Sequence, residues 1–120
     1  GAADRLEEIG ALLTKHTPNL MNYLDYLYLN HEFFTANWII TIFSNSIKSH
    51  NLFKIWDLFL IYGWKFINFF IVSILQTFES VIMKYDTKTL SINMRGLLKS
   101  DMFDQSFLHI ITNTFELMKN

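Results

Sequence analysis

Apolar residues recur three or four places apart along most of this chain, and that spacing predicts helices. Asp4 stands where it can cap a first helix carrying Leu6, Ile9, Leu12 and Leu13. Thr17-Pro18 reads as the N-cap and first helical residue of a second, with Leu20, Leu24 and Leu27. A third is expected from Thr35 to Ile47, with Trp38, Ile42 and Phe43 on one side. Asn51 is placed to cap a fourth, NLFKIWDLFLIYG, and Gly63 lies where a helix ending in left-handed geometry wants a glycine. The fifth, Lys65 to Tyr85, is the longest. Its residues Phe66, Phe69, Phe70, Ile74, Phe78 and Ile82 share a face, while Ile67, Ile71, Val72, Leu75 and Val81 cover much of the remainder. A helix apolar nearly all round is a central one. Asp86 to Met94 reads as a joint or short strand-like stretch, followed by a short helix near Leu97. Asp104 is expected to cap a last helix bearing Phe107, Leu108, Ile111, Phe115 and Met118.

Four Gly and one Pro are too few for the turns of a sandwich or barrel, and 120 residues make one domain. The expectation is a single all-α domain over residues 1–120, a compact bundle of about six helices, with Gly1-Ala2-Ala3 a cloning remnant. Composition sharpens the picture. The chain is 51% hydrophobic and 17% aromatic, with twelve Phe, which excludes disorder and implies either an unusually aromatic core or apolar surface that faces a partner or a missing segment. A net charge of −1 carries no footprint for nucleic acid. The longest charge-free runs, Phe33 to Ile47 and Phe66 to Phe78, are fifteen and thirteen residues. A membrane-spanning helix needs about 20, so no transmembrane segment is expected.

Candidate chemistry is sparse. With no Cys there is no disulfide, thiolate metal site or cysteine nucleophile. His16, His31, His50 and His109 form no i, i+4 pair and read as surface or cap residues. Asp101 and Asp104 are three apart, which suits a helix start as well as a carboxylate pair. Gly63 and Gly96 are isolated, so no phosphate loop is present. One Trp56-Asp57 pair does not make a propeller repeat. No catalytic, cofactor-binding or metal-binding residue is assigned, and no cofactor is expected.

Taken in order, the segments resemble the C-terminal half of the TBC domain, the helical domain of Rab-GTPase-activating proteins. The family pattern runs as LL, a short gap, P-x-L-x-x-H-L, then F-x-x-x-W-x-x-x-L-F, then R-(L/I)-W-D-x-x-F-x-E-G-x-K-F, then a long apolar helix. This chain reads LLTKHTPNLMNYL, FFTANWIITIF, KIWDLFLIYGWKF and INFFIVSILQTF, a likeness covering Leu12 to Phe78. The motif positions that carry over are Pro18, Leu24, Trp38, Phe43, Trp56, Asp57, Gly63 and Phe66. Tyr23 stands in place of the family's His, Ile42 of Leu, Lys54 of Arg, Leu60 of Phe and Tyr62 of Glu. The resemblance implies that Trp38, Phe43, Trp56 and Phe66 are core residues. It also implies that Asp57 is buried and hydrogen-bonded; the other reading of Asp57 is a solvent-facing helix residue.

In the family an arginine from I-x-x-D-x-x-R and a glutamine from Y-x-Q drive GTP hydrolysis on the bound Rab. Neither motif occurs here around Arg5, Arg95, Gln76 or Gln105, so no catalytic residue is carried over. The resemblance therefore implies a portion of a Rab GTPase activator that supplies fold and GTPase-binding surface without those two groups. Its partners would be a Rab-type GTPase and either the domain's N-terminal half or a second copy. Its place would be cytoplasmic or peripheral on endomembranes. The alternative is a catalytically inactive helical interaction module.

Overall fold

The computed structural model describes residues 2–44 and 47–119. They form seven α-helices: α1 (Ala2–His16), α2 (Pro18–Tyr26), α3 (Glu32–Phe43), α4 (Ser49–Tyr62), α5 (Trp64–Ile82), α6 (Thr87–Gly96) and α7 (Asp101–Met118). A 3-10 turn, Leu97–Lys99, lies between the last two, and no strand occurs among the described residues. The fold is all-α, as the periodicity predicts. α5 packs against α7, α1 and α4, and its side chains are buried on nearly every side, including Phe66, Ile67, Phe70, Ile71, Ile74 and Leu75. By length and composition alone α5 reaches what a membrane-crossing helix needs, further than charge-free runs suggest, but 61% of that stretch is buried inside the fold.

Several helix starts differ from the sequence expectation, each for a local reason. α1 begins at Ala2, so Asp4 sits inside its first turn, where a carboxylate still meets the helix dipole favourably. Thr17 and Pro18 take the N-cap and N1 positions of α2 as expected, yet the Thr17 hydroxyl turns back and donates to the Leu13 carbonyl at 2.7 Å. α3 starts at Glu32 and ends at Phe43; residues 45 and 46 of the expected longer helix lie outside the described residues. Asn51 lies within α4 instead of capping it, and α7 starts at Asp101, capped by the Ser100 hydroxyl, which accepts from the Phe103 N–H at 3.2 Å. The two residues expected to be caps meet each other. Asn51 Nδ2 donates to Asp104 Oδ1 at 2.7 Å, joining α4 to α7.

The stretch from Asp86 to Met94 is not a joint or a strand but most of α6. Thr87, Thr89 and Ile92 lower its helix propensity. Asp86 offsets that by accepting the Thr89 N–H at 2.8 Å, a side-chain N-cap. Leu90 and Met94, four apart, are buried on the face that packs toward α3. Tertiary docking decides the conformation here.

Candidate functional site

The family-motif residues divide into two groups. Leu24, Trp38 and Phe66 are fully buried, and Pro18 is an exposed helix-starting residue. Trp38 Nε1 donates to the Met94 carbonyl at 2.7 Å, fastening α3 to the last turn of α6. Trp56 Nε1 donates to the Ile42 carbonyl at 3.0 Å, fastening α4 to the last turn of α3. Carbonyls in a helix's last turn have no partner within the helix. Each indole thus anchors an apolar ring while satisfying a helix end.

The second group departs from the expectation of burial. Phe43 is 41% exposed, Trp56 is only half-buried, and Asp57 is solvent-facing on α4. The reason is geometric: Phe43 packs only one side of its ring, on Phe59 and Trp64, Trp56 lies at the edge of the core against the end of α3, and Asp57 faces solvent. Ile40, Phe53, Leu60 and Ile61 are exposed on the same two helices, Leu60 at 81% and Ile61 at 69%. Phe53, Asp57, Leu60 and Ile61 follow helical spacing, so the apolar residues form one stripe with a carboxylate at its middle. Lys54 and Asp57 flank Trp56, and both are exposed.

The end of this stripe is held by aromatic packing. Phe43, Phe59 and Trp64 form a triangle with centroids 5.2, 5.3 and 5.6 Å apart, and the Arg5 guanidinium lies 3.7 Å over the Trp64 ring. α1, α3, α4 and α5 converge there. Gly63 is the sole residue between α4 and α5, with φ 69° and ψ −153°. The positive φ is expected; the ψ carries the chain out of left-handed helical geometry into a region open essentially to glycine alone.

Polar contacts elsewhere are structural. Lys48 Nζ lies 3.4 Å from both Asp101 and Asp104, and His50 Nε2 lies 3.3 Å from Asp104. Hydrogen bonds from Asn51 and Lys48 hold the Asp104 carboxyl below its usual range, and Asp101 and Asp104 raise Lys48. His31 takes the N-cap position of α3, the cap half of the expectation, but it is buried there, with Nδ1 2.9 Å from the Thr35 hydroxyl and its ring against Gly10 of α1. Burial lowers its pKa, as it does that of His16. Sequence reasoning also missed Asn68, buried in α5 and donating to Glu8 of α1 at 3.0 Å. Gln76 accepts from Asn113 at 2.9 Å and donates to the His16 carbonyl at 3.3 Å, tying α5 to α7 and α1. Among the described residues, no group of three or more His, Asp or Glu is placed to hold a metal ion.

The model of the Rab-GTPase-TBC domain family matches residues 3–83. TBC1 domain family member 2B of Mus musculus is 34% identical over 73 residues, covering 61% of this chain and 8% of that protein. TBC1 domain family member 2A of Homo sapiens is 27% identical over 107 residues, covering 89% of this chain and 11% of that protein. The Bos taurus form is 28% identical over 103 residues, 86% of this chain and 10% of that protein. The chain thus spans about a tenth of the length of these relatives. A match of 107 residues in a chain of 120 must include residues 14–107, so the likeness extends past α5 through α6 into α7. No solved structure matches the chain. On a family match that covers two thirds of its length, the chain belongs to the Rab-GTPase-TBC domain family.

Proposed function

We propose that this chain is the C-terminal portion of a Rab GTPase-activating domain, contributing fold and GTPase-facing surface while the groups that act on GTP lie outside it. The observation that carries this reading is the bare apolar face of α3 and α4, on a chain whose residues 3–83 match the Rab-GTPase-TBC family. That face is where the other half of the domain would pack. Arg5 is occupied over Trp64 and Gln76 is bonded at both ends of its amide, so neither projects toward a bound nucleotide. Arg95 is exposed but is preceded three places earlier by Ile92, not by the family's Asp. In this reading the protein works in the cytoplasm and on the surface of endomembranes.

The test is single-turnover GTP hydrolysis across a panel of Rab proteins. An arginine finger is worth about 10³ to 10⁵ in rate. The 120-residue chain alone is expected to give no acceleration, and the natural polypeptide extended upstream through I-x-x-D-x-x-R and Y-x-Q to restore it. Stimulation by the short chain, abolished by Arg95→Ala, would overturn the assignment. A second reading is a catalytically inactive interaction module. Lys54 and Tyr62, in place of the family's Arg and Glu around Trp56-Asp57, favour it. It predicts that the extended chain binds a GTPase and leaves hydrolysis unchanged.

A further inference from the structure

Of the four histidines only His31 is buried, and its neighbours decide which ring nitrogen carries the proton. The Thr35 hydroxyl donates to the His31 carbonyl at 3.2 Å. A hydroxyl has one proton to give, so at the 2.9 Å contact between His31 Nδ1 and Thr35 Oγ1 the ring is the donor. Nδ1 therefore holds the hydrogen of the neutral ring and Nε2 holds the lone pair. Nε2 faces Gly10 of α1, where a Cβ would come within 2.9 Å of it. Glycine at that position is what lets the ring sit so close. The Gly10 carbonyl already accepts from the Thr14 hydroxyl at 3.0 Å besides its helical partner, and Nε2 has no hydrogen-bond partner among the described residues.

The charges around the ring do not favour a second proton. Glu32, next in the chain and exposed, raises the pKa, but burial lowers it by more. Asp25 and Tyr28, which border a cleft with His31, are both exposed. On α1 the charged residue one turn before Gly10 is Glu7, also exposed, while Glu8 is bonded to Asn68 of α5 and Arg5 lies over Trp64 of α5. α1 packs chiefly against α5. His31, by contrast, follows a tight turn closed by the Leu29 N–H on the Leu24 carbonyl at 2.9 Å. Tyr28 sits in that turn at φ 58°, a left-handed conformation that a bulky residue rarely takes and that costs energy to keep.

We propose that His31 is an acid-released latch between α3 and α1. Neutral, its ring seats the first turn of α3 on Gly10. Protonated, it leaves that contact, and the α2–α3 turn relaxes while α1 stays on α5. The second proton would sit on Nε2, against Gly10 and without an acceptor, and a buried cation in that position is strongly disfavoured. The seated ring thus binds a proton less readily than the released one. The latch is at full strength above the ordinary histidine value of about 6.5 and is lost progressively as pH falls from there to the lower seated value. Each unit between the two is about tenfold in the ratio of latched to released chain. The latch holds whether or not the parent protein activates a GTPase.

The experiment is ring-nitrogen and amide NMR of the isotopically labelled 120-residue chain from about pH 8 to about pH 5. Near neutral pH the His31 ring should show a protonated Nδ1 and a bare Nε2. On acidification it should titrate below about 6.5, and the amides of Gly10 and Leu13 should move with the same midpoint as those from His31 to Thr35. His31→Gln keeps a polar side chain without the charge, so the two α1 amides should lose that midpoint. Gly10→Ala pushes the ring off its seat, so His31 should titrate closer to 6.5. If either variant fails to fold, the tautomer and the shared midpoint in the parent chain decide. A protonated Nε2 near neutral pH, a His31 midpoint at or above about 6.5, or α1 amides that stay still while His31 titrates would each overturn the proposal.

Discussion

Trp38 and Trp56 do similar jobs at different depths, and the difference is measurable. Trp38 is fully buried, and Trp38→Ala should cost ~3–5 kcal/mol in a denaturant titration. Trp56 is half-buried, so Trp56→Ala should cost less, about 2 kcal/mol, most of it from lost packing and the Ile42 carbonyl left without its indole donor. Equal losses would mean that the outer face is covered in solution. Gly63 makes a cleaner case still. A Cβ there would meet nothing within 4 Å, so Gly63→Ala removes no contact and its cost is the backbone conformation alone, about 1–3 kcal/mol. At Gly96, which also has open space but an ordinary φ of −90°, the same substitution should be neutral or stabilising by up to ~1 kcal/mol. A thermal melt of the two variants checks the contrast.

At the scale of helices, the joint between α4 and α7 rests on charge and is exposed to pH from both sides. The Asp104 carboxyl is held below its ordinary value, so its contribution is present above the unfolded carboxylate pKa and is lost as pH falls through the lower folded one. Lys48 is raised, so its contribution is present below the unfolded lysine pKa and is lost as pH rises through the higher folded one. Asp104→Ala should therefore flatten the acid limb of stability below about pH 4, as followed by thermal melts from neutral pH downward. An acid limb as steep as the parent's would place the clamp's energy elsewhere. Most helices were legible in the chain because apolar spacing and a starting signal agree, as at Thr17-Pro18 and along Phe66 to Ile82. α6 was not legible, since its β-branched residues argue locally against a helix, and it takes the Asp86 cap together with docking on α3 to decide for one. For the site, the motif tryptophans could be placed from family resemblance. The exposure of Phe43 and Asp57 could not, because burial on α3 and α4 depends on what lies across from them. Tyr28 was invisible for the opposite reason: its sequence position gives no sign of a conformation that tyrosine rarely adopts.

For the molecule as a whole, the apolar stripe on α4 sets how the chain behaves alone. Contiguous exposed apolar area beyond roughly 300–600 Å² is unusual on a soluble monomer. The isolated chain should self-associate through Ile40, Phe53, Leu60 and Ile61, closing as a symmetric dimer. Sedimentation at rising concentration should show the shift, and Leu60→Lys with Ile61→Lys should return it to a monomer with little change in melting temperature, since both positions are exposed. A strict monomer at high concentration would mean that the stripe does not drive association.

Single residues join α1 to α2 at Thr17, α4 to α5 at Gly63, and the 3-10 turn to α7 at Ser100. None of these joints has slack: Thr17 is bonded back to Leu13, Gly63 to Phe59, and Ser100 to Leu97. An added residue would rotate the following helix by about 100° and turn its buried stripe to water. Inserting a residue at any of those three corners of this chain should therefore unfold it, where a substitution at constant length should not. Room for inserted or deleted residues is confined to turns such as Lys84 to Asp86, where the chain is exposed on either side of Tyr85.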